Sequence, residues 1–470
     1  MLNRTRWIVV AAAGLTVAAA ALSWGKRSKQ EAPPRHGPVT IKPPPASSQA
    51  GALKLSAALS SSKLLVGGDG RVYLDVDLSA AKLASVARPR VTIALVVDRS
   101  MSMDGQRLVD AKLAAQRLVD ALQDGDRVTL LSFGTDVTVL APTMVLRADS
   151  RAELRSRIND IRAVGSTNMS EALLRARAEL AKTMAQDDVT RIVLLSDGEP
   201  KAPGLTEIND FALLADESQG LGMPISTIGV GDSYREDIMR AMAEHSAGQF
   251  HHVEDSQGLN SIIDSELASV STTVAKRTQV VLELAPGVEI DRVFGYPYSS
   301  EGSTHVVQIG DLASGQQRKL VVRLRVPATQ VGTRAVARID VSFDDVGSKR
   351  SGLVIGTVVD VELSRDVDAV GASLNRAVQA KVEQVESAAT IDDAMAQYKA
   401  GQIEEAQQLL ERRLSASTAI APSLASPALD ASNAGLRKLN EQVRARPAAG
   451  SSAGSNMMKG ASMDAFQTSR

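Results

Sequence analysis

An aspartate and two serines follow a strongly apolar segment of the chain at alternate positions. The apolar segment is Val91–Val97, and the oxygen-bearing side chains that follow it are Asp98, Ser100 and Ser102. A continuous apolar run is typical of a buried parallel strand, so these three residues are expected at its carboxyl end. Carboxylate and hydroxyl oxygens are the ligands that hard divalent cations such as Mg²⁺ or Ca²⁺ prefer. The pattern therefore predicts a cation site where this strand ends.

Two further polar segments follow in a recognisable order. The first is Gly165–Asn168, which contains Thr167, and the second is the Ser-Asp-Gly run around Asp197, after a second apolar strand. Together with the segment that contains Asp98, Ser100 and Ser102, they resemble the metal-ion-dependent adhesion site of von Willebrand factor type A (VWA) domains, over roughly residues 90–270. Three separated segments in the right order are a more specific signal than the segment from Asp98 to Ser102 alone.

The resemblance implies a role for each residue of this set. Ser100, Ser102 and Thr167 would contact the metal, and Asp98 and Asp197 would act directly or through water. Bacterial members of the family often have glycine where this chain has Met101, so a bulky side chain is expected at the rim of the site.

The number of charged side chains in this predicted ligand set indicates which metal and which kind of partner the site would bind. A calcium site normally recruits more than two carboxylates, so Mg²⁺ is the expected ion, with Mn²⁺ or Ca²⁺ as alternatives. Two carboxylates leave the ion with an attraction for a further anion. We therefore expect a protein partner that offers an acidic residue. The alternative is a structural envelope scaffold in which the site is vestigial.

Alternating strands and helices predict the fold of the central region. Helical periodicity after Gly105 and strand patterns at 127–133, 192–195 and 225–230 favour a mostly parallel sheet covered on both faces. Asp98 and Asp197 each end a predicted strand, and ligands of such sheets bind outside the carboxyl ends of the strands. The predicted fold class is α/β, a Rossmann-like VWA domain at 90–270.

Alternating apolar residues flank this domain on both sides. They predict strands within 51–89 and 271–365, which suggests one β-sandwich into which the α/β domain is inserted. The layout is similar to bacterial VWA proteins of the calcium-activated chloride channel-like kind. A helical region follows at 366–445, either a small cap or a peptide-binding groove, because two of its predicted helices resemble one tetratricopeptide-type pair. Residues 446–470 are predicted to be a disordered tail.

The amino-terminal region predicts attachment to a membrane. An apolar run from Trp7 to Trp24 lies between basic residues, so residues 1–30 are expected to form a signal anchor, or alternatively a cleaved signal. Residues 31–50 are rich in proline and predict an extended linker. We therefore expect a single-pass protein of the cell envelope with its body outside the cytoplasm, or a secreted or periplasmic protein if the signal is cleaved.

Composition and motifs argue against several other functions. The net charge of −1 and the 3% aromatic content give no basis for nucleic-acid binding. The chain has no cysteine and no phosphate-binding glycine loop, so thiol chemistry and nucleotide binding are not expected. A hydrolase using Ser196 with His245, His251 or His252, or a metal-dependent one using Asp98, is a weaker alternative. The predicted function is non-enzymatic, metal-dependent protein binding.

Overall fold

The computed structural model describes residues 47–470, apart from 83–87, 186–187, 198, 202–203, 231–233 and 254–255. The described residues belong to one compact unit. The predicted signal anchor and most of the proline-rich linker lie outside the described residues. Within the described ranges, no helix is both long and apolar enough to cross a membrane.

The first described strands belong to a β-structure that precedes the central domain. They are β1 (Ser47–Ala50), β2 (Leu53–Leu59), β3 (Lys63–Leu65) and β4 (Arg71–Ala80). Strand β1 pairs antiparallel with β2, so the end of the predicted linker is in fact a strand. In β4, alternate residues from Val72 to Leu78 are buried, as the apolar alternation in the sequence predicts.

The central region is an α/β domain with a six-stranded sheet. Its strands are β5 (Val91–Asp98), β6 (Arg127–Phe133), β7 (Val137–Val145), β8 (Val189–Ser196), β9 (Ile225–Val230) and β10 (Phe250–Val253). Its helices are α1 (Gln106–Ala121), α2 (Ala148–Asn159), α3 (Met169–Ala181), α4 (Ile208–Gly220), α5 (Glu236–Ser246) and α6 (Ser256–Ser271). The strand order is β10-β9-β8-β5-β6-β7, and all neighbouring pairs are parallel except β6 and β7.

Both faces of this sheet are covered, which explains the largely apolar composition of its strands. Every residue of β5, β8 and β9 is buried. Helices α1, α2 and α6 pack on one face, and α3, α4 and α5 pack on the other. The predicted α/β fold with a mostly parallel sheet is therefore confirmed.

The chain returns from the α/β domain to the β-structure. The later strands are β11 (Thr273–Leu284), β12 (Glu289–Val293), β13 (Tyr298–Glu301), β14 (Thr304–Ala313), β15 (Gln317–Arg325), β16 (Gly332–Asp345) and β17 (Arg350–Ser364). Together with β1–β4 they form two sheets, of order β1-β2-β4-β15-β12 and β13-β14-β11-β16-β17-β3. One apolar core contains residues of both sheets, and the α/β domain lies between β4 and β11 in the chain.

The carboxyl-terminal part is helical to its end. The helices are α7 (Val367–Ala372), α8 (Arg376–Lys399), α9 (Ile403–Leu424), α10 (Pro427–Arg444) and α11 (Ser452–Thr468). The apolar face of α8, which includes Val378, Val382 and Val385, packs against Phe294 and Val321 of the five-stranded sheet region.

The prediction of a disordered tail at 446–470 is wrong. Helix α11 begins at a cap in which the Ser451 hydroxyl accepts a hydrogen bond from the Gly454 amide. Phe466 is buried in the core of the α/β domain, edge-on to Phe250 at a ring distance of 6.1 Å. The low-complexity composition of this segment did not predict a helix, because tertiary packing rather than helix propensity stabilises it.

Candidate metal centre

The parallel pairing of β5 with β8 positions the two predicted carboxylates. Val97 is opposite Leu195 in this pair, so Asp98 lies beside the end of β8, where Ser196 and Asp197 follow. Both carboxylates are almost completely buried, with 0% exposure for Asp98 and 1% for Asp197. Two strands that are distant in sequence therefore bring their terminal carboxylates to one edge of the sheet, as expected for strands of this topology.

Backbone hydrogen bonds bring the segment that contains Thr167 to the same edge. The Met101 amide donates to the Gly165 carbonyl at 3.0 Å, and the Val164 amide donates to the Arg99 carbonyl at 2.7 Å. Gly165 has a φ of +83°, and a Cβ there would lie 2.7 Å from the Thr135 nitrogen, so the turn requires glycine. The polar segment after β5 and the segment before α3 are therefore fixed against each other.

Thr167 lies at the start of a capped helix. The next residue, Asn168, caps α3 by accepting a hydrogen bond from the Glu171 amide. The Thr167 carbonyl accepts a hydrogen bond from the Lys201 amide at 2.9 Å, which ties it to the segment that follows Asp197. Thr167 itself is 3% exposed. All three predicted segments are thus joined at one edge of the sheet.

Four of the five predicted ligands form one chain of hydrogen bonds. The Ser100 amide donates to Asp98 Oδ1 at 2.8 Å, and the Ser100 and Ser102 hydroxyl oxygens are 3.0 Å apart. The Ser102 hydroxyl donates to Asp197 Oδ1 at 3.0 Å. For the fifth predicted ligand, Thr167, the hydrogen bonds described above involve backbone atoms. The structure therefore brings together the oxygen-bearing residues that the sequence singles out.

Burial makes the site favourable for a cation. Burial raises the pKa of Asp98 to about 6, and the charge of Asp197 adds to this rise, while hydrogen bonds from Ser196 and Ser100 oppose it. A buried carboxylate beside another carboxylate is stabilised in its charged form when a cation binds. The donors are two carboxylates and three hydroxyls, all hard oxygen ligands, and this set fits Mg²⁺.

Two residues that contact the predicted ligands were not themselves predicted as ligands. The Ser196 hydroxyl donates to Asp98 Oδ2 at 2.5 Å, and Ser196 is fully buried. Arg107 Nη1 donates to Asp197 Oδ2 at 2.7 Å and to the Ser102 carbonyl at 3.1 Å. Ser196 directly precedes Asp197, so its position in the sequence was a usable signal. Arg107 carries no such signal, because its contact depends on how α1 packs over the site.

Histidine positions do not favour the hydrolase alternative. His251 and His252 lie on β10, which β9 separates from β8, where Ser196 is found. His251 contacts Glu266 at 3.5 Å, and His252 bonds the Tyr234 hydroxyl at 2.9 Å. His245 contacts Asp216 at 3.1 Å. Across the described ranges, no group of three or more His, Cys, Asp or Glu residues is arranged to hold a metal.

Comparison with known proteins agrees with this fold. Residues 92–265 match the family described as von Willebrand factor type A domain. A solved structure titled von Willebrand factor type A from Catenulispora acidiphila superposes with a TM-score of 0.67 at 19% identity, and the match covers 84% of this chain and 90% of that one. Residues 92–265 are therefore similar to von Willebrand factor type A domains, and the α/β fold of this region agrees with that similarity.

Two curated bacterial relatives are similar over more than the central domain. The Synechocystis protein named uncharacterized protein sll0103 is 27% identical over 56% of this chain and 64% of its own length. The Escherichia coli protein named uncharacterized protein YfbK is 26% identical over 54% of this chain and 45% of its own length. The chain therefore spans roughly half the length of the curated relatives that it matches.

Proposed function

We propose that this protein is a non-enzymatic, metal-dependent protein-binding module of the cell envelope. A divalent cation, most favourably Mg²⁺, would be held by Asp98, Ser100, Ser102, Thr167 and Asp197, and would attract a carboxylate of a protein partner. The observation that carries this proposal is the hydrogen-bonded chain from Asp98 through both serines to Asp197, at the carboxyl edge of a parallel sheet.

The charge balance of the site supports an acidic partner. Only two of the five proposed ligands are carboxylates, and the remaining donors are neutral hydroxyls, so the first coordination shell can accept a further anion. Mg²⁺ requires near-octahedral coordination by oxygen and usually keeps several waters, which an external carboxylate can replace. This contact would be charge-assisted and directional, and it would therefore dominate specificity.

The surroundings of the site are suited to a protein contact. Ser102 is exposed, so the set of donors opens to solvent on one side. Met101 is 59% exposed between the two serines, and Val164, in the neighbouring segment, is 48% exposed. These apolar side chains would pack against partner residues beside the acidic one, because apolar contacts around a central polar contact exclude water.

A location in the cell envelope is part of the proposal. The apolar run from Trp7 to Trp24, which is flanked by basic residues, supports a membrane anchor with the body outside the cytoplasm. Protease treatment of spheroplasts would test this orientation. We expect digestion of the body, and protection of the intact chain would contradict the location.

Capture of partners from envelope extracts tests the binding function. The full-length chain, purified in detergent, would be used as bait in Mg²⁺ and in EDTA, with an Asp98→Ala bait as the matched control. We expect a partner that is retained by the wild-type bait in Mg²⁺ and lost both in EDTA and on the variant. A partner retained equally in EDTA would contradict the proposal and favour the scaffold alternative.

A further inference from the structure

A cationic side chain reaches into the proposed metal site from the first turn of α1. Arg107 Nη1 donates both to Asp197 Oδ2, at 2.7 Å, and to the Ser102 carbonyl, at 3.1 Å. The Arg107 side chain is 34% exposed, whereas that of Asp197 is 0% exposed. The guanidinium therefore contacts two residues of the proposed ligand set and can also reach solvent.

The arginine engages the carboxylate that a metal would need. Asp197 Oδ1 accepts a hydrogen bond from the Ser102 hydroxyl, and Asp197 Oδ2 accepts one from Arg107. Both oxygens of Asp197 thus have protein donors. A divalent ion that uses this carboxylate shares it with these donors and is repelled by the positive charge of the guanidinium.

The positive charge of Arg107 also changes the net charge of the site. Asp98 and Asp197 provide two negative charges, and Arg107 compensates one of them. A cationic group within salt-bridge distance of a ligand carboxylate lowers the gain from binding a second cation there, because like charges in a partly buried site are weakly screened.

We propose that Arg107 is an internal competitor of the divalent metal, a cation that pairs with Asp197 and weakens metal binding. This inference rests on the proposed metal site and concerns its regulation. Loading of the site then depends on the concentration of the free metal. Binding of the metal and pairing of Arg107 with Asp197 oppose each other.

Calorimetric titration of the full-length chain in detergent with MgCl₂, and separately with MnCl₂, tests the competition. Arg107→Gln removes the charge and keeps much of the side-chain length, and Arg107→Met serves as a second neutral variant. We expect each to bind the metal at least about tenfold more tightly than the wild type. Circular dichroism melting would verify that both variants are folded.

A variant on the same helix controls for the loss of net charge. Arg117 of α1 pairs with Asp264 at the surface, with side-chain exposures of 43% and 54%. Arg117→Gln changes the net charge of the chain by the same amount as Arg107→Gln, so it should leave metal affinity within about twofold of the wild type.

The outcomes separate this inference from the proposed function. Equal or weaker metal affinity in Arg107→Gln and Arg107→Met, with a wild type that binds, overturns the competitor role and leaves the metal site intact. An equal gain in Arg117→Gln also overturns it, because the effect would then be one of net charge. Failure of the wild type and of all variants to bind either metal would contradict the proposed site itself, and with it the competitor role.

Discussion

The hydroxyl of Ser102 donates a hydrogen bond of 3.0 Å to Asp197 Oδ1, although the two residues are 95 positions apart in the chain. The contact exists because Ser102 follows β5 and Asp197 follows β8, and these strands are parallel neighbours. Side chains that end neighbouring parallel strands meet at one edge of a sheet. The proposed metal site is therefore a direct consequence of the strand order.

Removal of a neutral ligand should weaken metal binding without unfolding the protein. Thr167→Ala and Ser100→Ala each delete one proposed hydroxyl ligand and leave both carboxylates in place. We expect the Mg²⁺ affinity of each variant to fall by roughly tenfold or more, in line with changes near metal ligands. Calorimetry measures this effect. Ser166→Ala, beside Thr167 but outside the proposed set, should bind as the wild type does, and a comparable loss in that control would count against the assignment.

Glu266 is predicted to make stability depend on pH. Its Oε1 accepts a hydrogen bond from the Ser226 hydroxyl at 2.6 Å and lies 3.5 Å from Arg191 Nε, and Oε2 lies 3.5 Å from His251 Nε2. Burial raises the pKa of Glu266, but the charge of Arg191 and the contacts of His251 and Ser226 outweigh this and hold the pKa at about 2. Ionised Glu266 therefore stabilises the fold above its unfolded-state pKa of roughly 4.5, and this contribution is lost as pH falls toward 2.

Glu266→Gln should consequently destabilise the protein most at neutral pH. We expect a loss of about 3 kcal/mol in the free energy of unfolding at pH 7, which falls to less than half of that near pH 3. Urea unfolding at several pH values measures the difference. Asp264→Asn, at an exposed position of the same helix, is the control and should show little change. A difference between Glu266→Gln and the wild type that is constant with pH would contradict this assignment.

Phe466 is predicted to hold α11 against the α/β domain. The side chain is 2% exposed and packs edge-on to Phe250. Phe466→Ala should lower the free energy of unfolding by about 3 kcal/mol, as expected for a buried aromatic side chain. The neighbouring exposed residue gives a control, Gln467→Ala, which should have little effect in the same urea titration. Equal stability of both variants and the wild type would mean that the segment does not pack as described.

The sequence was sufficient to predict the central fold because its signals are local. Strongly apolar runs such as Val91–Val97 require burial on both faces, and the polar residues that follow them then lie at the sheet edge. The alternation in β4 similarly predicted a strand with one buried face. These patterns depend on the period of each element and not on distant contacts.

Features that depend on tertiary packing could not be predicted in this way. Helix α11 has a composition rich in small and polar residues, and its burial is apparent only from contacts such as that of Phe466 with Phe250. The contact of Arg107 with Asp197 likewise depends on the position of α1 over the edge of the sheet. Neither the burial of α11 nor the contact of Arg107 produces a periodic pattern in the sequence.

Calorimetric titration of Mg²⁺ into the full-length protein, with Asp98→Ala as its counterpart, tests the central claim most directly. Asp98 is fully buried, and its Oδ1 accepts a hydrogen bond from the Ser100 amide, so its carboxylate is placed at the start of the proposed ligand set. We predict that the wild type binds one Mg²⁺ per chain and that Asp98→Ala, shown to be folded by circular dichroism, binds none. Undiminished affinity in the folded Asp98→Ala variant would contradict the assignment of the metal site.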